Sequence, residues 1–234
     1  RPNETWLQAL AADATIDPAL LAGAWSASSM WTANAATVSP APDTADGKCH
    51  LTVANLVTMP HRSQEWPDTL AQLKLAFSDT KQFAVHGPVP PCFGDEGAAN
   101  HMRFACNHGE PGLEVFVYGR PGGRFPARQH EQASQIVARS HGLDPEKVLF
   151  VEQSPEAIEA GAFHNDVVAV ANENVLFTHQ LAFADRQGTY DAITAKCAVA
   201  QVVEVPADRV SLDDAIKSYL FNAQLLTPPS GEMT

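Results

Sequence analysis

Short apolar runs alternate with amphipathic segments along almost the whole chain of 234 residues. Short runs rich in Val, Ile, Phe or Leu are typical of strands. Apolar residues that recur at every third or fourth position are typical of helices. Because the two patterns are interleaved and not collected into separate blocks, they predict an α/β or α+β fold. The recurring order is strand, loop, helix and strand, without a strict sequence repeat, and it favours one continuous domain.

The predicted strands are short and apolar. Between residues 113 and 118, Leu113, Val115 and Val117 alternate with more polar or aromatic residues. A hairpin is predicted from the apolar run 167–170, the turn Asn172-Glu173-Asn174 and the run 175–177. Further strands are predicted at residues 83–85, 148–151 and 202–205.

Helices are predicted between these strands. The stripe at Leu212, Ala215, Ile216, Tyr219 and Leu220 has helical spacing and follows a capping Ser211. Other helices are predicted at residues 67–77, around 127–140 and at 154–161, where a Ser cap, a Pro and a Gly stop coincide. The Ala- and Leu-rich residues 4–24 also predict helix, with a break near residue 17.

Composition excludes several classes of protein. Hydrophobic residues make up 45% and charged residues 18%, which excludes bulk disorder. The formal charge of −12 argues against a binder of nucleic acid or anionic membranes, which needs a basic surface. No apolar run approaches the roughly 20 residues of a membrane helix. Scattered cysteines and the lack of a signal-peptide pattern predict reduced thiols and a cytoplasmic location.

The densest polar cluster is Gly94-Asp95-Glu96-Gly97-Ala98-Ala99-Asn100-His101. Adjacent residues of a strand point to opposite faces, so Asp95 and Glu96 are not expected to share a role. The pattern alone favours a polar loop that turns the chain. A metal site that uses Asp95, Glu96 and His101 is a weaker alternative, because nothing fixes the spacing of the ligands.

A second cluster, Phe163-His164-Asn165-Asp166, directly precedes the predicted strand 167–170. His164 and Asp166 are two positions apart along the chain, so a strand here would direct both to one side. A histidine near a carboxylate can act as a general acid or base near neutral pH. An exposed polar start of a strand is an equally good interpretation.

Isolated polar residues give weaker signals. His61 and Arg62 precede a predicted helix, and Arg128 lies at the start of another, where a cation is disfavoured by the helix dipole. These cations are candidates for binding an anion, and Asn34 is a polar residue in an apolar run. Solvated or backbone-bonded side chains are the alternative for all of them. No nucleotide-binding, α/β-hydrolase or zincin motif is present.

Taken together, these segments resemble the N-succinylarginine dihydrolase family. The likeness extends in order over nearly the whole chain, at residues 29–40, 50–56, 94–101, 109–120, 162–167 and 218–226. That family belongs to the guanidine-modifying superfamily, so the resemblance implies an α/β propeller of ββαβ-like units in a pseudo-fivefold arrangement. Residues 1–234 would then be part of a single catalytic domain, truncated at both ends.

The resemblance also implies roles for individual residues. Glu96 and His164 match the glutamate and histidine of a Cys-His-Glu catalytic set. Substrate-binding positions of the family match Asn34, His61, Arg62, Arg128 and Asp166. Asp166 would bind the planar, cationic guanidinium by charge-assisted hydrogen bonds. The two arginines would bind carboxylates of the substrate.

The implied reaction converts N2-succinyl-L-arginine into N2-succinyl-L-ornithine, two ammonia and CO₂ through a covalent thiol adduct, without a metal or organic cofactor. Nothing in the sequence matches the family's glycine-rich segment with the nucleophilic cysteine. Cys49, Cys92, Cys106 and Cys197 are therefore interpreted as ordinary thiols, and the chain alone is predicted to be inactive. The expected partner is the small-molecule substrate, with neither nucleic acid nor membrane, and the resemblance is compatible with a homodimer.

Two alternatives stay open. One alternative to this interpretation is that the chain belongs to another guanidine-modifying hydrolase, of the arginine deiminase or dimethylarginine hydrolase type. The other is that it is a non-catalytic remnant that binds the ligand. The pairing of His61 and Arg62 with Arg128 argues for an additional carboxylate on the substrate, which favours the succinylated compound.

Overall fold

Three small sheets form the framework of the protein. The structure, a computed structural model, describes residues 5–18, 35–57, 63–120, 122–125, 127, 129–231 and 233–234. Within them, nine strands form three separate sheets of three strands each. Helices and strands are interleaved along the described residues, which confirms the α/β class.

The same ββαβ unit occurs three times. The first unit contains β1 (Ala36–Ser39), β2 (Cys49–Val53), α2 (Trp66–Ala76) and β3 (Phe83–His86). The second contains β4 (His101–Phe104), β5 (Leu113–Tyr118), α3 (Glu131–Ser140) and β6 (Val148–Glu152). The third contains β7 (Ala169–Asn172), β8 (Val175–His179), α5 (Arg186–Lys196) and β9 (Gln201–Val205). The helices outside this pattern are α1 (Trp6–Ile16), α4 (Pro155–Glu159) and α6 (Leu212–Ser218).

Each unit has the same topology although the sequences do not repeat. Its first two strands are antiparallel, and its third strand is parallel to the second. Antiparallel neighbours can be joined by a short turn, whereas parallel neighbours need a crossover. The long helix of each unit supplies that crossover.

The central strand of the second unit is buried on both faces. Leu113, Val115 and Val117 belong to an apolar cluster with Leu176 and Ile193 of the third unit. The opposite face of β5 packs into a second cluster, in which Phe116 meets Ala133 and Val137 of α3. The alternating side chains of β5 therefore enter two apolar clusters, one on each face of the strand. Glu114 is accordingly buried instead of facing solvent.

Most predicted helices are confirmed, with corrections at their ends. The helix predicted around 127–140 begins only at Glu131, because His130 is extended and its Nδ1 accepts a hydrogen bond from Gln132 N. The helix predicted over 212–220 ends at Ser218. Tyr219 follows in a left-handed conformation (φ 55°) and is 65% exposed, so it does not continue the buried stripe.

The hairpin is confirmed but the start of its first strand was wrong. Residues Asn165–Val167 form a 3₁₀ turn, and β7 starts at Ala169. The two-residue connection between β7 and β8 has positive φ (46°) at Glu173. His164 and Asp166 therefore do not share one face of a strand.

Among the residues that the structure describes, four regular elements were not predicted, namely β1, β2, β4 and α5. Strand β2 contains buried His50 and Thr52, and α5 contains Gly188 and few apolar residues, so neither has the expected apolar pattern. Helix α1 confirms part of the helix predicted over 4–24, and residues 19–24 lie outside the described residues.

The described residues bear on the state of the cysteines and on the length of the helices. All four cysteines are free thiols, as expected. None of the helices in the described ranges has the length and apolar character that crossing a membrane requires.

Candidate active site

A cavity of about 640 Å³ lies along strands β4 and β7. Its wall is formed by residues within 98–102, 165–171 and 222–224. The first two segments include parts of the polar clusters singled out in the sequence, namely Ala98, Ala99 and His101 of the first and Asn165 and Asp166 of the second. The structure thus places the two clusters, separated by more than sixty residues of sequence, at one cavity.

Glu96, two residues before the cavity-lining Ala98, has its carboxylate out of water. Its backbone exchanges two hydrogen bonds of 2.7 Å with Asn55, and its side chain is almost fully buried. Thr37 Oγ1 donates a 2.5 Å hydrogen bond to Oε1, and no described residue donates to Oε2. Burial raises the pKa of Glu96 to about 7, although the Thr37 hydrogen bond and the charge of His101 act in the opposite direction. Glu96 can therefore gain or lose a proton near neutral pH.

The segment around Glu96 turns the chain, as predicted, but it is not a solvated loop. Asp95 and Glu96 are both 1% exposed. Gly94 has a φ of +75°, which a residue with a Cβ adopts at a cost. The glycine therefore permits a sharp turn that puts two adjacent carboxylates inside the protein.

The second cluster lies across the cavity on the 3₁₀ turn. His164 precedes the turn in an extended conformation, and its ring lies 5.2 Å from that of Phe163. Asp166 lines the cavity, and its Oδ2 accepts a 3.4 Å hydrogen bond from Asn222 Nδ2. Because a 3₁₀ turn replaces the predicted strand here, His164 and Asp166 are not held on one strand face, and of the two only Asp166 lines the cavity.

Buried amide side chains connect the two clusters, a role that the sequence pattern did not indicate. Asn100 Oδ1 accepts a 2.9 Å hydrogen bond from Asn165 N. Asn100 Nδ2 contacts Gln129 Oε1 at 3.5 Å, and Gln129 Nε2 donates to Ser134 Oγ at 2.9 Å. Asn100, Gln129 and Asn165 are all nearly inaccessible to water. Their only sequence signal is that each amide lies next to, or a few residues from, a candidate site residue.

The residues predicted for the site differ in whether they line the cavity. Asp166 lines the cavity together with His101, whereas Glu96 and His164 are not in its lining. Four predicted substrate-binding residues lie outside the described residues: Asn34, His61, Arg62 and Arg128.

The metal alternative gains no geometric support. Within the described part of the chain, no group of three His, Cys, Asp or Glu side chains could hold a metal ion. His101 forms a hydrogen bond with Glu114, which lies on β5 and not in the Gly94–His101 cluster.

Three buried side-chain oxygens have no donor among the described residues. Asn165 Oδ1 belongs to a residue of the cavity wall, whereas Glu96 Oε2 and Glu114 Oε1 belong to residues outside the lining. A buried acceptor without a donor costs about 1–3 kcal/mol. The Asn165 amide oxygen and the Asp166 carboxylate in the cavity wall are acceptors, so a planar cation with several N–H groups would complement them.

Comparison with known proteins gives a consistent result. The sequence matches the family model described as succinylarginine dihydrolase over residues 3–234. The chain is 70% identical to the N-succinylarginine dihydrolase of Novosphingobium aromaticivorans, covering 100% of this chain and 56% of that protein. It is 64% identical to the enzyme of the same name from Sphingopyxis alaskensis, again over 100% of this chain and 56% of that protein.

The chain thus spans about half the length of the curated relatives it matches. Among solved structures, the fold is similar to the product-bound N-terminal domain of ArgZ, an arginine dihydrolase from the ornithine–ammonia cycle in cyanobacteria. The TM-score is 0.55 at 18% identity, over 82% of this chain and 56% of that one. At that identity the likeness concerns the fold alone.

Proposed function

Because the chain belongs to the succinylarginine dihydrolase family, we propose that the full-length protein hydrolyses the guanidinium of N2-succinyl-L-arginine. The products are N2-succinyl-L-ornithine, two ammonia and CO₂. The observation that carries this proposal is the match over residues 3–234, which includes the segments that build the cavity. The acceptor side chains of Asn165 and Asp166 in the cavity wall also support a guanidinium ligand.

The chemistry uses a thiolate supplied from outside residues 1–234. The thiolate attacks the guanidinium carbon, and His164 gives a proton to the departing ammonia. Glu96, whose pKa of about 7 lets it change protonation at working pH, stabilises the cationic centre as charge moves. Water then releases the adduct, and a second round removes the other ammonia.

Recognition is divided between the two ends of the substrate. Asp166 in the cavity wall receives N–H groups of the guanidinium, for which a carboxylate is the complementary acceptor. The substrate carboxylates are held by the cations His61, Arg62 and Arg128, and Asn34 contributes a neutral hydrogen bond.

The repeated topology supports a wider architecture. Three ββαβ units in the described residues are consistent with an α/β propeller of pseudo-fivefold arrangement, to which residues 1–234 contribute one part of a single catalytic domain. We further propose a cytoplasmic enzyme with a small-molecule substrate, no metal or organic cofactor, and a homodimeric assembly.

Ammonia release from the purified full-length protein tests the function. N2-succinyl-L-arginine should yield two ammonia per molecule, and free arginine should react much more slowly because it lacks the succinyl carboxylate.

His164→Ala should lower turnover about 100-fold or more, whereas His108→Ala, at an exposed histidine, should not. The isolated 234-residue chain should be inactive, and Cys92→Ser and Cys106→Ser should leave the full-length enzyme unchanged.

Other outcomes would favour the alternatives. Preferential turnover of arginine or dimethylarginine, with release of citrulline, would indicate the deiminase or dimethylarginine hydrolase type. Tight binding of succinylarginine without ammonia release would indicate a non-catalytic ligand-binding protein.

A further inference from the structure

The peptide bond between His164 and Asn165 is held on both of its polar sides by side chains from distant parts of the chain. Asn100 Oδ1 accepts a 2.9 Å hydrogen bond from Asn165 N. Gln153 Nε2 donates a 3.4 Å hydrogen bond to His164 O. Because this peptide joins His164 to the 3₁₀ turn that contains Asp166, the two amides act on the backbone between both candidate site residues.

Asn100 supplies the acceptor for the first N–H group of this turn. The turn comprises Asn165–Val167, and the side chain of the preceding His164 does not cap it. Asn165 is 1% exposed, so water cannot readily replace the acceptor that Asn100 provides. The 3₁₀ hydrogen bond from Val167 N to His164 O, at 3.3 Å, closes the turn from within. The orientation of the turn in the protein therefore depends on a residue 65 positions away.

The Asn100 side chain is itself fixed. Asn100 ends the 3₁₀ turn Ala98–Asn100 directly before β4 and is 3% exposed. Its Nδ2 contacts Gln129 Oε1 at 3.5 Å, and Gln129 Nε2 donates to Ser134 Oγ of α3 at 2.9 Å. An amide whose nitrogen is bonded on one side presents its oxygen on the other. The network thus sets which end of the Asn100 amide meets Asn165.

Gln153 restrains the segment that leads into the turn. Its backbone N donates to Tyr118 O at 2.7 Å, and it forms an isolated β-bridge with Phe183. The residue is 2% exposed, and Nε2 donates to Ala162 O at 2.6 Å as well as to His164 O. Since Gln153 directly follows β6, its two hydrogen bonds tie the chain before the turn to the end of a strand.

We propose that Asn100 and Gln153 are positioning residues for the reaction, an inference that rests on the proposed function. One amide holds the N–H and the other holds the C=O of the same peptide, which fixes the plane of that peptide. The relation between His164 on one side and Asp166 on the other is thereby set. Neither amide is part of the cavity lining, so both act through the turn and not on the substrate itself. A displacement of about 1 Å at a reacting group can lower a rate about 100-fold.

Steady-state kinetics of the full-length protein with N2-succinyl-L-arginine tests this inference. Asn100→Leu removes the acceptor and Gln153→Met removes the donor, each with little change of volume. Both should lower kcat about 100-fold at a temperature at which circular dichroism shows the variant to be folded. Asn100→Asp keeps an oxygen for the Asn165 N–H and should recover most of kcat. If Asn100→Leu does not fold, Gln153→Met decides the question.

Binding of the product distinguishes a displaced turn from a damaged site. N2-succinyl-L-ornithine has the carboxylates of the substrate but no guanidinium, so its Kd should keep the wild-type value in Asn100→Leu and Gln153→Met. Thr52→Val is the matched control, because Thr52 is buried outside the cavity lining. Loss of its 2.7 Å hydrogen bond with His141 should lower the unfolding temperature and leave kcat unchanged.

Several results would overturn the inference. Wild-type kcat in folded Asn100→Leu or Gln153→Met, with only a lower unfolding temperature, would indicate a purely structural role. Equal kcat in Asn100→Asp and Asn100→Leu, weaker binding of the product, or an equal fall of kcat in Thr52→Val would also contradict it. A wild-type protein that releases no ammonia from succinylarginine would instead overturn the proposed function.

Discussion

At the scale of single residues, burial of titratable groups determines much of the expected behaviour. Glu96 and His141 are both almost inaccessible to water, and their pKa values move in opposite directions, to about 7 and about 3. In each case burial penalises the charged form. Both shifts therefore couple folding stability to pH.

Glu96→Gln should make the protein relatively more stable above pH 7. The folded carboxyl keeps its proton up to about pH 7, whereas the unfolded one loses it near 4.5, so the favourable contribution present below 4.5 is lost as pH rises through 7. The shift corresponds to roughly 3 kcal/mol. Urea unfolding at pH 5 and pH 8 measures the effect. An equal stability difference between variant and wild type at both pH values would contradict it.

His141→Gln should reduce the loss of folding stability at acidic pH. His141 is neutral when folded and bonds Ser39 Oγ and Thr52 Oγ1 at 2.8 and 2.7 Å, and its burial and the charges of His86, His50 and His101 disfavour protonation. The unfolded residue gains a proton near 6.5, so stability falls as pH decreases from 6.5 towards 3. One proton corresponds to a slope of about 1.4 kcal/mol per pH unit.

The measurement is the free energy of unfolding between pH 4 and 8. The variant should be less stable than the wild type at pH 8, because a buried hydrogen bond is lost, and this difference should shrink at pH 5. Parallel pH profiles for the two proteins would exclude His141 as a source of the dependence.

At the level of secondary-structure elements, two glycines that look alike in the sequence differ in the space available for a Cβ atom. A Cβ on Gly112 would lie 2.8 Å from Arg103 Cζ, so an alanine would displace the guanidinium from Asp43. A Cβ on Gly87, in contrast, would meet no atom within 4 Å, and the φ angle of Gly87 is not positive. The two glycines therefore form a matched pair.

Gly112→Ala should lower the free energy of unfolding by about 1–3 kcal/mol, because it disturbs a mostly buried hydrogen-bonded pair. Gly87→Ala should leave stability unchanged or raise it by up to about 1 kcal/mol through the unfolded state. Chemical denaturation of both variants provides the comparison. Equal effects of the two substitutions would show that the Arg103 contact is unimportant.

At the scale of the whole molecule, contacts between the ββαβ units hold the cavity together. The pair Asp43–Arg103 joins the first unit to the second, with side chains that are 2% and 15% exposed. The Asn100–Asn165 hydrogen bond joins the segment before the second unit to the turn before the third. These contacts set the relation between the two candidate site clusters.

Asp43→Asn should destabilise the protein by about 3 kcal/mol, because Arg103 would keep a buried charge without its partner. Asp43→Asn combined with Arg103→Met should recover part of the loss. Lys217→Met, which removes an exposed pair with Asp213, should leave the unfolding midpoint unchanged. If the double variant loses as much free energy of unfolding as the two single variants together, the pair has no coupling energy.

The fold class and many elements could be predicted from the sequence because their signals are local. The stripe of α6 and the Ser caps at Ser154 and Ser211 follow from helical spacing and hydrogen-bond chemistry within a few residues. Strand β2 escaped prediction because its buried His50 and Thr52 are satisfied by side chains distant in sequence, including His86 and His141.

The α/β class, the two polar clusters and the family of the chain can be inferred from the amino-acid sequence alone. Three features became apparent only in three dimensions: parts of both clusters line one cavity, Glu96 is buried with a raised pKa, and Glu114 is hydrogen-bonded to His101. Burial, and hence the energy of a charge, depends on contacts between residues far apart along the chain. A pattern of neighbouring residues contains no record of those contacts.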